Sequence, residues 1–421
     1  MSYTSVKGMD DIVPPQSCLW ADIEKKARHI FESFGFYEIK TPVVEKTELF
    51  TRGIGTATDI VEKQMYIFTD KNGDSLALRP EGTAPVVRAY IEHQLYHPDP
   101  YQKLYYMSPM FRYERMQKGR TRQHMQLGAE VFGASSPRID AEVIFMLTQF
   151  YQAIGIENFK VQINSLGCKA CRPGYREKLL AHFRHRISEL CEDCKKRLEK
   201  NPLRILDCKN EQCQKVAVSA PQMTNHLCAE CRAHFEGVKT SLNQLNVTFE
   251  VNPNIVRVLD YYVRTTFEIV SSDLGAQSAL GGGGRYDGLV AALGGPDVSG
   301  IGFGSGIERL IIALEKKVPL GSATPQNYVD LFISALGPKA QAFSYGLINK
   351  LRLQGVRAEV DYDDHPLKTQ MKKADRMNSR FVLIIGEDEM NKGEAILRNM
   401  NTKEQKSIPF GDILNEMEKN T

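Results

Sequence analysis

The sequence predicts an α+β protein in which a largely antiparallel sheet, interrupted once by a helical insertion, is followed by a smaller α/β domain. Short apolar or alternating runs follow one another with few helical segments between them, a pattern typical of antiparallel strands. Residues from about 169 to 247 are instead helical in pattern, charged and rich in cysteine. After Pro319, strand and helix patterns alternate, which indicates a separate α/β domain.

The first predicted element is a helix over residues 17–34, where apolar residues recur at helical spacing and Gly35 supplies a stop. The run FYEIKTPVV then predicts a strand toward Pro42. Further strands are predicted at QMYIF, LALRP, KLYYMSPMFRYE, QLGAEVFG and VQINSL, and, after the insertion, at VTFEV, VRVLDYYVRTTFEIV and GIGFGSG. This order separates the domain from a doubly wound nucleotide-binding fold.

The C-terminal part begins with the strand-like run VDLFISAL. A helix near 339–354, the strand VRAEVDY, a helix near 367–377 and the strand FVLIIG follow it. The stretch VPLGSATPQN, rich in Pro, Gly and small polar residues, fits a linker before this domain. We therefore expect a domain over residues 1–320, containing the insertion at about 169–247, and a second domain over residues 327–421.

Length and composition place the chain among multi-domain globular proteins. With 421 residues it is too long for one ordinary core, and its 42% hydrophobic and 25% charged residues are typical of soluble proteins. No stretch approaches the roughly 18 apolar residues of a membrane helix, and the N-terminus lacks the apolar core of a secretory signal. We expect a soluble, cytoplasmic protein with no membrane partner.

The formal net charge of +3 says little about partners, but two local patches are basic. Residues 168–210 contain twelve Lys and Arg against six Asp and Glu, which fits either nucleic-acid contact or a solvated helical surface. Residues 112–122 contain five Lys and Arg against one Glu in a segment too rich in polar residues for one regular element. That density of positive charge favours a phosphate ligand.

Eight of the nine cysteines fall between residues 168 and 231. They form three C-x-x-C pairs, Cys168/Cys171, Cys191/Cys194 and Cys228/Cys231, and the pair Cys208/Cys213. Such pairs in a cytosolic protein suggest zinc rather than disulfides. Ordinary thiols in a helical insertion explain the same residues, so both interpretations stay open and no metal ligand is assigned from the sequence.

The common nucleotide-binding signatures are missing. The chain has no G-x-x-x-x-G-K-[ST] run, and the glycines of GGGGRYDG and GFGSG do not fall on G-x-G-x-x-G. Arginines on antiparallel strands remain as phosphate ligands. The planar guanidinium groups of Arg112 and Arg309 are suited to bidentate contacts with phosphate oxygens.

Three segments in order resemble the motifs of class II aminoacyl-tRNA synthetases. FGFYEIKTPVVEKTELF is similar to motif 1, FRYERMQKGRTRQHMQLGAEVFG to motif 2 and GFGSGIERL to motif 3. RPEGT, LDYY and GGGRYDGL are similar to the histidine-specific branch, and the C-terminal domain resembles its anticodon-binding domain. The resemblance covers nearly the whole chain and implies activation of L-histidine with ATP, followed by transfer of histidine to the 3′ end of its tRNA.

The resemblance also implies a histidine site. Glu81, Thr83 and Gln126 would surround the α-amino group, with Gly82 in the same motif. Glu130 and Tyr262 would contact the imidazole nitrogens, with Tyr261 nearby, and a pocket of this kind can reject the wrong side chain by about 10⁴-fold. Considered singly, Glu81 also fits a surface carboxylate beside Arg79, Glu130 a paired strand carboxylate, and the two tyrosines core aromatics.

For ATP, the resemblance implies catalytic arginines at Arg112 and Arg257 near the α-phosphate and at Arg309 toward the γ-phosphate. Glu114 would contact the adenine side, and Arg120 and Arg122, in the motif 2 loop, would contact the outer phosphates or the tRNA end. Mg²⁺ is expected with ATP. No general base for the transfer step is evident. Val258 stands where the family usually has glycine, which affects the expected local backbone geometry.

Two other functions remain as alternatives. The first is a non-catalytic, synthetase-like regulatory subunit of a histidine-biosynthetic phosphoribosyltransferase. Such a subunit would resemble the catalytic core but lack the anticodon-binding domain, which the sequence of this chain predicts. An RNA-binding protein would leave the assembled carboxylates and arginines unexplained. Motif 1 implies a homodimer, and no DNA partner is expected.

Overall fold

The computed structural model describes residues 3–55, 58, 60–256, 259, 261–274, 279–315 and 329–419. The chain folds into two compact units. The first comprises Met1–Val13 and Trp20–Lys317, and the second comprises Pro14–Leu19 and Val318–Thr421. The predicted linker, VPLGSATPQN, lies outside the described residues.

The first unit is built on two sheets. In chain order its strands are β1 (Tyr37–Glu38), β2 (Val44–Lys46), β3 (Tyr66–Thr69), β4 (Ser75–Leu78), β5 (Gln102–Phe111), β6 (Gln123–Phe132), β7 (Lys160–Ser165), β8 (Phe249–Val251), β9 (Val263–Val270), β10 (Ala279–Arg285) and β11 (Gly300–Gly306). Eight of them form the main sheet in the order β1-β5-β6-β11-β10-β9-β7-β8, and β2-β4-β3 form a small one. Five of the seven pairings in the main sheet are antiparallel, so the α+β prediction is confirmed.

The helices between Gln16 and Glu315 are α1 (Gln16–Ser33), α2 (Thr47–Ile54), α3 (Thr83–Glu92), α4 (Pro137–Ala153), α5 (Arg172–His185), α6 (Glu192–Lys200), α7 (Glu211–Val218), α8 (Ala229–Gln244), α9 (Leu289–Ala292) and α10 (Ile307–Glu315). The sequence predicts α1 but not α2, α3 or α4, so the expectation of few helices between strands is wrong. Ten of the 17 residues of α4 are buried, so its apolar face is wide and only a narrow polar stripe marks it as an amphipathic helix. Its start is nevertheless ordinary, because Ser136 caps the helix and Pro137 follows.

Successive side chains of each strand point to opposite faces of the main sheet, so each face has its own set of contacts. Phe31 of α1 is fully buried, and its ring lies 5.5 Å from that of Tyr105, 5.8 Å from that of Phe150 and 5.9 Å from that of Phe303. One face therefore packs against α1 and α4. Tyr106, next to Tyr105 on β5, belongs to an apolar cluster on the opposite face.

One strand prediction is corrected, and one strand was not predicted. The run VRVLDYYVRTTFEIV forms a strand only from Val263, and the described residues before it are irregular. Leu259 and Tyr261 instead pack against two apolar clusters, so their apolar character reflects packing rather than a strand. Conversely, the glycine-rich run Ala279–Arg285 is the central strand β10, which low strand propensity conceals.

The insertion is helical from α5 to α8, as predicted, and the strand pattern resumes at β8. Its eight cysteines gather into two groups. The first cysteine cluster contains Cys168, Cys171, Cys228 and Cys231, and the second contains Cys191, Cys194, Cys208 and Cys213. None of these residues forms a disulfide.

The second unit contains a five-stranded sheet. Its elements are β12 (Val329–Ala335), α11 (Pro338–Leu353), β13 (Ala358–Val360), α12 (Leu367–Arg376), β14 (Ser379–Ile385), α13 (Glu387–Lys392), β15 (Glu394–Asn399), β16 (Gln405–Pro409) and α14 (Ile413–Glu418). The strand order is β13-β12-β14-β15-β16. β12 pairs in parallel with β13 and β14, as the predicted alternation requires, and β15 and β16 add an antiparallel edge that the sequence does not predict. Among the described residues, no helix is long and apolar enough to cross a membrane.

Candidate functional site

A cavity of about 780 Å³ opens on the face of the main sheet that carries Tyr106. Its lining includes nine of the residues predicted from the resemblance: Glu81, Thr83, Arg112, Glu114, Arg120, Gln126, Tyr261, Tyr262 and Arg309. Gly82 and Glu130 lie behind this lining, and Arg257, like Val258, lies outside the described residues. The structure therefore gathers the predicted carboxylates, tyrosines and most of the predicted arginines around one space.

Glu81 is 3% exposed and lies two residues before the first residue of α3. Its carboxylate accepts hydrogen bonds from the backbone N–H groups of Thr83, at 2.7 Å, and Ala84, at 2.9 Å. Burial raises the pKa of this carboxyl, while the two backbone donors and the nearby Arg112 oppose that shift. The helix start thus fixes the carboxylate at the cavity wall, and Arg79 bonds to the carbonyls of Pro109 and Thr41 rather than to Glu81.

Glu130 is fully buried behind Thr83. The Thr83 hydroxyl donates to one carboxylate oxygen at 2.8 Å, and the Tyr286 hydroxyl donates to the other at 2.5 Å. Burial is the main cause that raises the pKa of Glu130 to about 8. Tyr286 was missed as a site residue, although it stands in the quoted GGGRYDGL segment.

The raised pKa of Glu130 predicts a pH-dependent stability. The folded chain holds this proton up to about pH 8 while the unfolded carboxyl releases it near 4.5, so the folded state binds more protons between these values. Stability from this group is present at low pH and is lost as the pH rises toward 8. Relative to Glu130→Gln, the free energy of unfolding should fall by up to about 1.4 kcal/mol per pH unit across that window. Denaturant unfolding at several pH values checks this, and a difference that does not change with pH contradicts it.

Alternate glycines on β11 give the cavity its floor. A Cβ at Gly302 would lie 1.8 Å from Glu130 Oε2, and one at Gly304 would lie 2.6 Å from Gln126 Nε2. The intervening Phe303 points to the other face, toward Phe31. The glycines therefore allow polar side chains of β6 to lie flat against the sheet.

Gly302→Ala is expected to destabilise the chain, because the added methyl group must displace a carboxylate that two hydroxyls hold in place. Overpacking of this kind costs about 1–3 kcal/mol. A matched control is Gly174→Ala in α5, where a Cβ meets nothing within 4 Å. Thermal unfolding of both variants provides the comparison, and equal melting temperatures would contradict the expectation.

Tyr106, a second residue that sequence reasoning missed, supports Gln126. Its hydroxyl accepts a hydrogen bond from Gln126 Nε2 at 2.7 Å. Its ring lies against Gly82 and Gly128, where a Cβ would approach ring atoms to 2.3 and 2.2 Å. Gly82 thus contacts the Tyr106 ring in this structure. Because Gly82 has no side chain, the ring can lie close to it, and the Tyr106 hydroxyl can then hold the Gln126 amide.

Tyr261 and Tyr262 lie in the irregular segment before β9, with ring centroids 4.7 Å apart. Arg172, at the start of α5, donates a hydrogen bond to the backbone carbonyl of Tyr262. The Tyr261 hydroxyl lies near Thr83 but is buried without a hydrogen bond of normal geometry among the described residues. A buried polar atom that lacks a partner at a cavity wall is available to a ligand.

The arginines gather at the other part of the lining. Arg112 Nε donates to the Pro80 carbonyl at 2.8 Å, and Arg309 Nη1 donates to the Ala279 carbonyl at 2.7 Å. Arg120 lies 3.4 Å from Glu114. Three guanidinium groups beside one paired carboxylate form an electropositive surface suited to phosphate oxygens.

His124 on β6 is a third residue that the sequence did not indicate. Burial first, and then the charges of Arg112 and Arg309, lower its pKa to about 3, so the ring is neutral at physiological pH. Glu308, at the start of α10, accepts from the backbone N–H of Met125 at 2.7 Å, and burial raises its pKa to about 7. The bond between Met125 and Glu308 connects β6 to α10, and both His124 and Glu308 line the cavity without adding positive charge.

The insertion supplies one part of the cavity lining. The residues concerned are Cys191, Asp193, Arg197, Arg204, Asp207, Cys208, Lys209 and Asn210. The insertion is also tied to the sheet by a buried group: Arg285 of β10 pairs with Asp140 of α4 at 2.8 Å, and His234 of α8 bonds to the same carboxylate at 2.8 Å. The cavity is therefore a product of both the sheet and the insertion.

Comparisons with known proteins agree along the whole chain. The family model described as Histidyl-tRNA synthetase matches residues 8–310, and the model described as Anticodon binding domain matches residues 330–420. The histidine–tRNA ligase of Geobacter sulfurreducens is 50% identical over 407 residues, 97% of each chain. That of Geobacter metallireducens is 51% identical over 405 residues, 96% of this chain and 97% of its own. The crystal structure of apo S. aureus histidyl-tRNA synthetase matches with a TM-score of 0.81 and 38% identity, covering 99% of this chain and 100% of that one.

Proposed function

Because the chain belongs to the histidyl-tRNA synthetase family, we propose that the cavity holds histidine and ATP together and that the residues around it carry the roles given below. The chain is an ATP-dependent histidine–tRNA ligase. It joins L-histidine to ATP as histidyl-adenylate, with release of pyrophosphate, and transfers the histidyl group to the 3′ end of its tRNA. The observation that carries the site assignment is that fixed buried carboxylates and an unpartnered tyrosine hydroxyl lie beside clustered arginines.

Glu81 binds the α-amino group of histidine. Its two backbone hydrogen bonds leave further lone pairs, and a carboxylate is the strongest neutralising partner for an ammonium group. Thr83 and Gln126 supply neutral oxygens at the same wall. Gly82 serves by admitting the Tyr106 ring that holds Gln126.

Glu130, Tyr261 and Tyr262 recognise the imidazole ring. The hydroxyls of Thr83 and Tyr286 fix the Glu130 carboxyl, and Tyr261 brings a phenol that lacks a partner among the described residues. A ring with one donor and one acceptor nitrogen matches such a pair of groups. Side chains without that pattern leave buried polar atoms unpaired, which discriminates strongly against them.

Arginines hold the phosphates during activation. A carboxylate oxygen of histidine attacks the α-phosphorus, the bond from that phosphorus to the β-phosphate bridging oxygen breaks, and pyrophosphate leaves. Two anions must approach each other, so positive groups that hold them and stabilise the added charge provide most of the catalysis. We assign Arg112 and Arg257 to the α-phosphate and Arg309 to the γ-phosphate, with Arg120 at the outer phosphates and Glu114 on the adenine side.

Mg²⁺ would enter with ATP. It prefers carboxylate and phosphate oxygens and usually retains several waters. Glu114, Glu268 and Glu308 line the cavity beside the arginines, and their carboxylate oxygens would be available to an ion that arrives bound to the phosphates. When bound, the ion neutralises phosphate charge, whereas the arginines orient the phosphates.

We further propose that residues 1–320 form the catalytic domain and residues 327–421 the anticodon-binding domain, in a cytoplasmic homodimer that binds the histidine tRNA. The match of the anticodon-binding family model to residues 330–420 supports the second boundary. The full-length identity to curated histidine–tRNA ligases favours the ligase over the regulatory-subunit alternative.

The test is exchange of labelled pyrophosphate into ATP by the purified protein without tRNA, with each amino acid in turn. Exchange with histidine alone is the expected result, because the adenylation half-reaction requires only the cavity, ATP and the ion. Exchange with several amino acids would overturn the assignment of the imidazole pocket. No exchange from folded protein in the presence of Mg²⁺ would overturn the assignment of the catalytic arginines.

A further inference from the structure

The two cysteine clusters have no part in the reaction proposed above. Within each cluster, the four sulfur atoms all lie within 4.8 Å of one another. The individual distances are 3.6 Å between Cys168 and Cys171, 3.9 Å between Cys168 and Cys228, and 3.9 Å between Cys191 and Cys208. Ordinary buried thiols have no reason to converge in two separate groups of four.

These distances match one tetrahedral metal ion in each cluster. With zinc–sulfur bonds of about 2.3 Å, the edge of a tetrahedron of sulfurs is about 3.8 Å. A disulfide would instead place two sulfurs about 2.05 Å apart. A cluster of several irons would hold some of its cysteines farther apart, because its four cysteines are divided among different iron atoms.

The backbone around the sulfurs favours thiolates. Cys228 N–H points to the Cys171 sulfur at 3.1 Å, and Cys191 N–H points to the Cys213 sulfur at 3.2 Å. Asn210 N–H lies 3.5 Å from the Cys208 sulfur. Such donors stabilise the negative charge of coordinating sulfur and fix the orientation of the ligands.

We propose that each cluster binds one Zn²⁺, so that the chain carries two structural zinc ions in the insertion. Four thiolates complete a closed tetrahedral site, which is typical of structural rather than catalytic zinc. The first cluster joins the segment before α5 to the start of α8 and so closes the two ends of the insertion. The second joins the start of α6 to the segment around the start of α7.

The second zinc site has a role at the cavity, and this step rests on the proposed function. Cys191 and Cys208, two of its ligands, line the cavity together with the neighbouring Arg204 and Lys209. The segments between the ligands form only short helices, in which Leu198, Ile205 and Leu206 are buried apolar side chains, so a metal ion bound by all four sulfurs would cross-link and stabilise this part of the wall. Zinc at the second cluster therefore maintains the cavity wall that faces the arginines on the sheet.

Metal content tests the sites directly. Mass spectrometry of the full chain purified from zinc-supplemented medium should give two zinc ions per chain, falling to one in Cys194→Ser and one in Cys171→Ser. The matched control is Cys18→Ser, which lies outside both clusters and should retain two. Less than one zinc ion in the natural chain, iron in its place, or two ions in both cluster variants would overturn the proposal.

A second measurement uses the natural chain, so its result does not depend on whether a variant folds. The natural chain, freed of zinc with a chelator and titrated with Co²⁺, should bind two equivalents and show the thiolate-to-cobalt charge-transfer and strong visible bands of tetrahedral coordination. Weak bands typical of octahedral cobalt would overturn the proposal.

Activity tests the role of the second site separately. Cys194→Ser should lower pyrophosphate exchange by about tenfold or more, as loss of a metal-supported wall predicts. Unchanged exchange after loss of that zinc ion would overturn the cavity role. An inactive natural chain that holds both zinc ions would overturn the proposed function and leave the zinc sites standing.

Discussion

Replacing Arg112 by glutamine is expected to lower the rate of histidine-dependent pyrophosphate exchange by about 10²–10³-fold, the usual loss when one fixed donor to a developing charge is removed. The guanidinium is already oriented before ligand binds, because its Nε donates to the Pro80 carbonyl at 2.8 Å. No reorganisation is then needed as charge grows on the α-phosphate. Stopped-flow or exchange kinetics with varied ATP separate the loss in kcat from any change in KM.

Two further variants distinguish geometry from net charge. Arg112→Lys keeps the charge but loses the planar fork, so it should recover only part of the rate. Arg115→Gln removes the same charge from an exposed position of the same loop that does not line the cavity, and we expect it to keep the natural rate. Equal losses in Arg112→Gln and Arg115→Gln would mean that the loop acts through its overall charge and would contradict the assigned role.

Local patterns predicted those elements that have a distinct spacing or apolar run in the sequence. Helix α1 has helical spacing, strands β5 and β6 have apolar or alternating runs, and the second unit alternates strand and helix patterns. Helix α4 and the glycine strand β10 lack such clear patterns, because the wide apolar face of α4 leaves only a narrow polar stripe and glycine removes the strand signal. Tertiary contacts decide both cases, and no local window contains them.

The candidate site likewise contains some residues that the sequence predicts and others that only the folded structure reveals. Residues carried over from the family motifs line the cavity, but their supports do not follow from those motifs. In the sequence, Tyr106 is one more apolar position of β5. Only its pairing with Gly128, which has no side chain, shows that the tyrosine ring packs against β6. His124 has no special spacing, and its neutral state results from burial between two arginines. Supporting contacts of this kind join residues distant in sequence, so they require the folded chain.

Tyr261→Phe is expected to raise the KM for histidine by about 10–100-fold, the usual cost of one hydrogen bond to a ligand in a buried site. The hydroxyl makes no hydrogen bond of normal geometry among the described residues before ligand binds. Its removal should therefore leave the free energy of unfolding unchanged or slightly increased, since a buried polar atom without a partner is a cost to the folded state. A large loss of affinity without a loss of stability identifies a group held for the ligand.

The matched control, Tyr175→Phe, should show the opposite pattern. Tyr175 lies in the insertion, and its hydroxyl donates to the Pro221 carbonyl at 2.9 Å. Loss of that bond should reduce stability by about 1 kcal/mol while KM for histidine stays the same. Steady-state kinetics and denaturant unfolding of both variants make the comparison. If Tyr261→Phe lost stability and kept its KM, the phenol would be a structural group, and recognition of the ring would fall to Glu130 and Tyr262. Glu130→Gln should then reduce discrimination against other amino acids, because the hydroxyls of Thr83 and Tyr286 hold the Glu130 carboxyl in a fixed position.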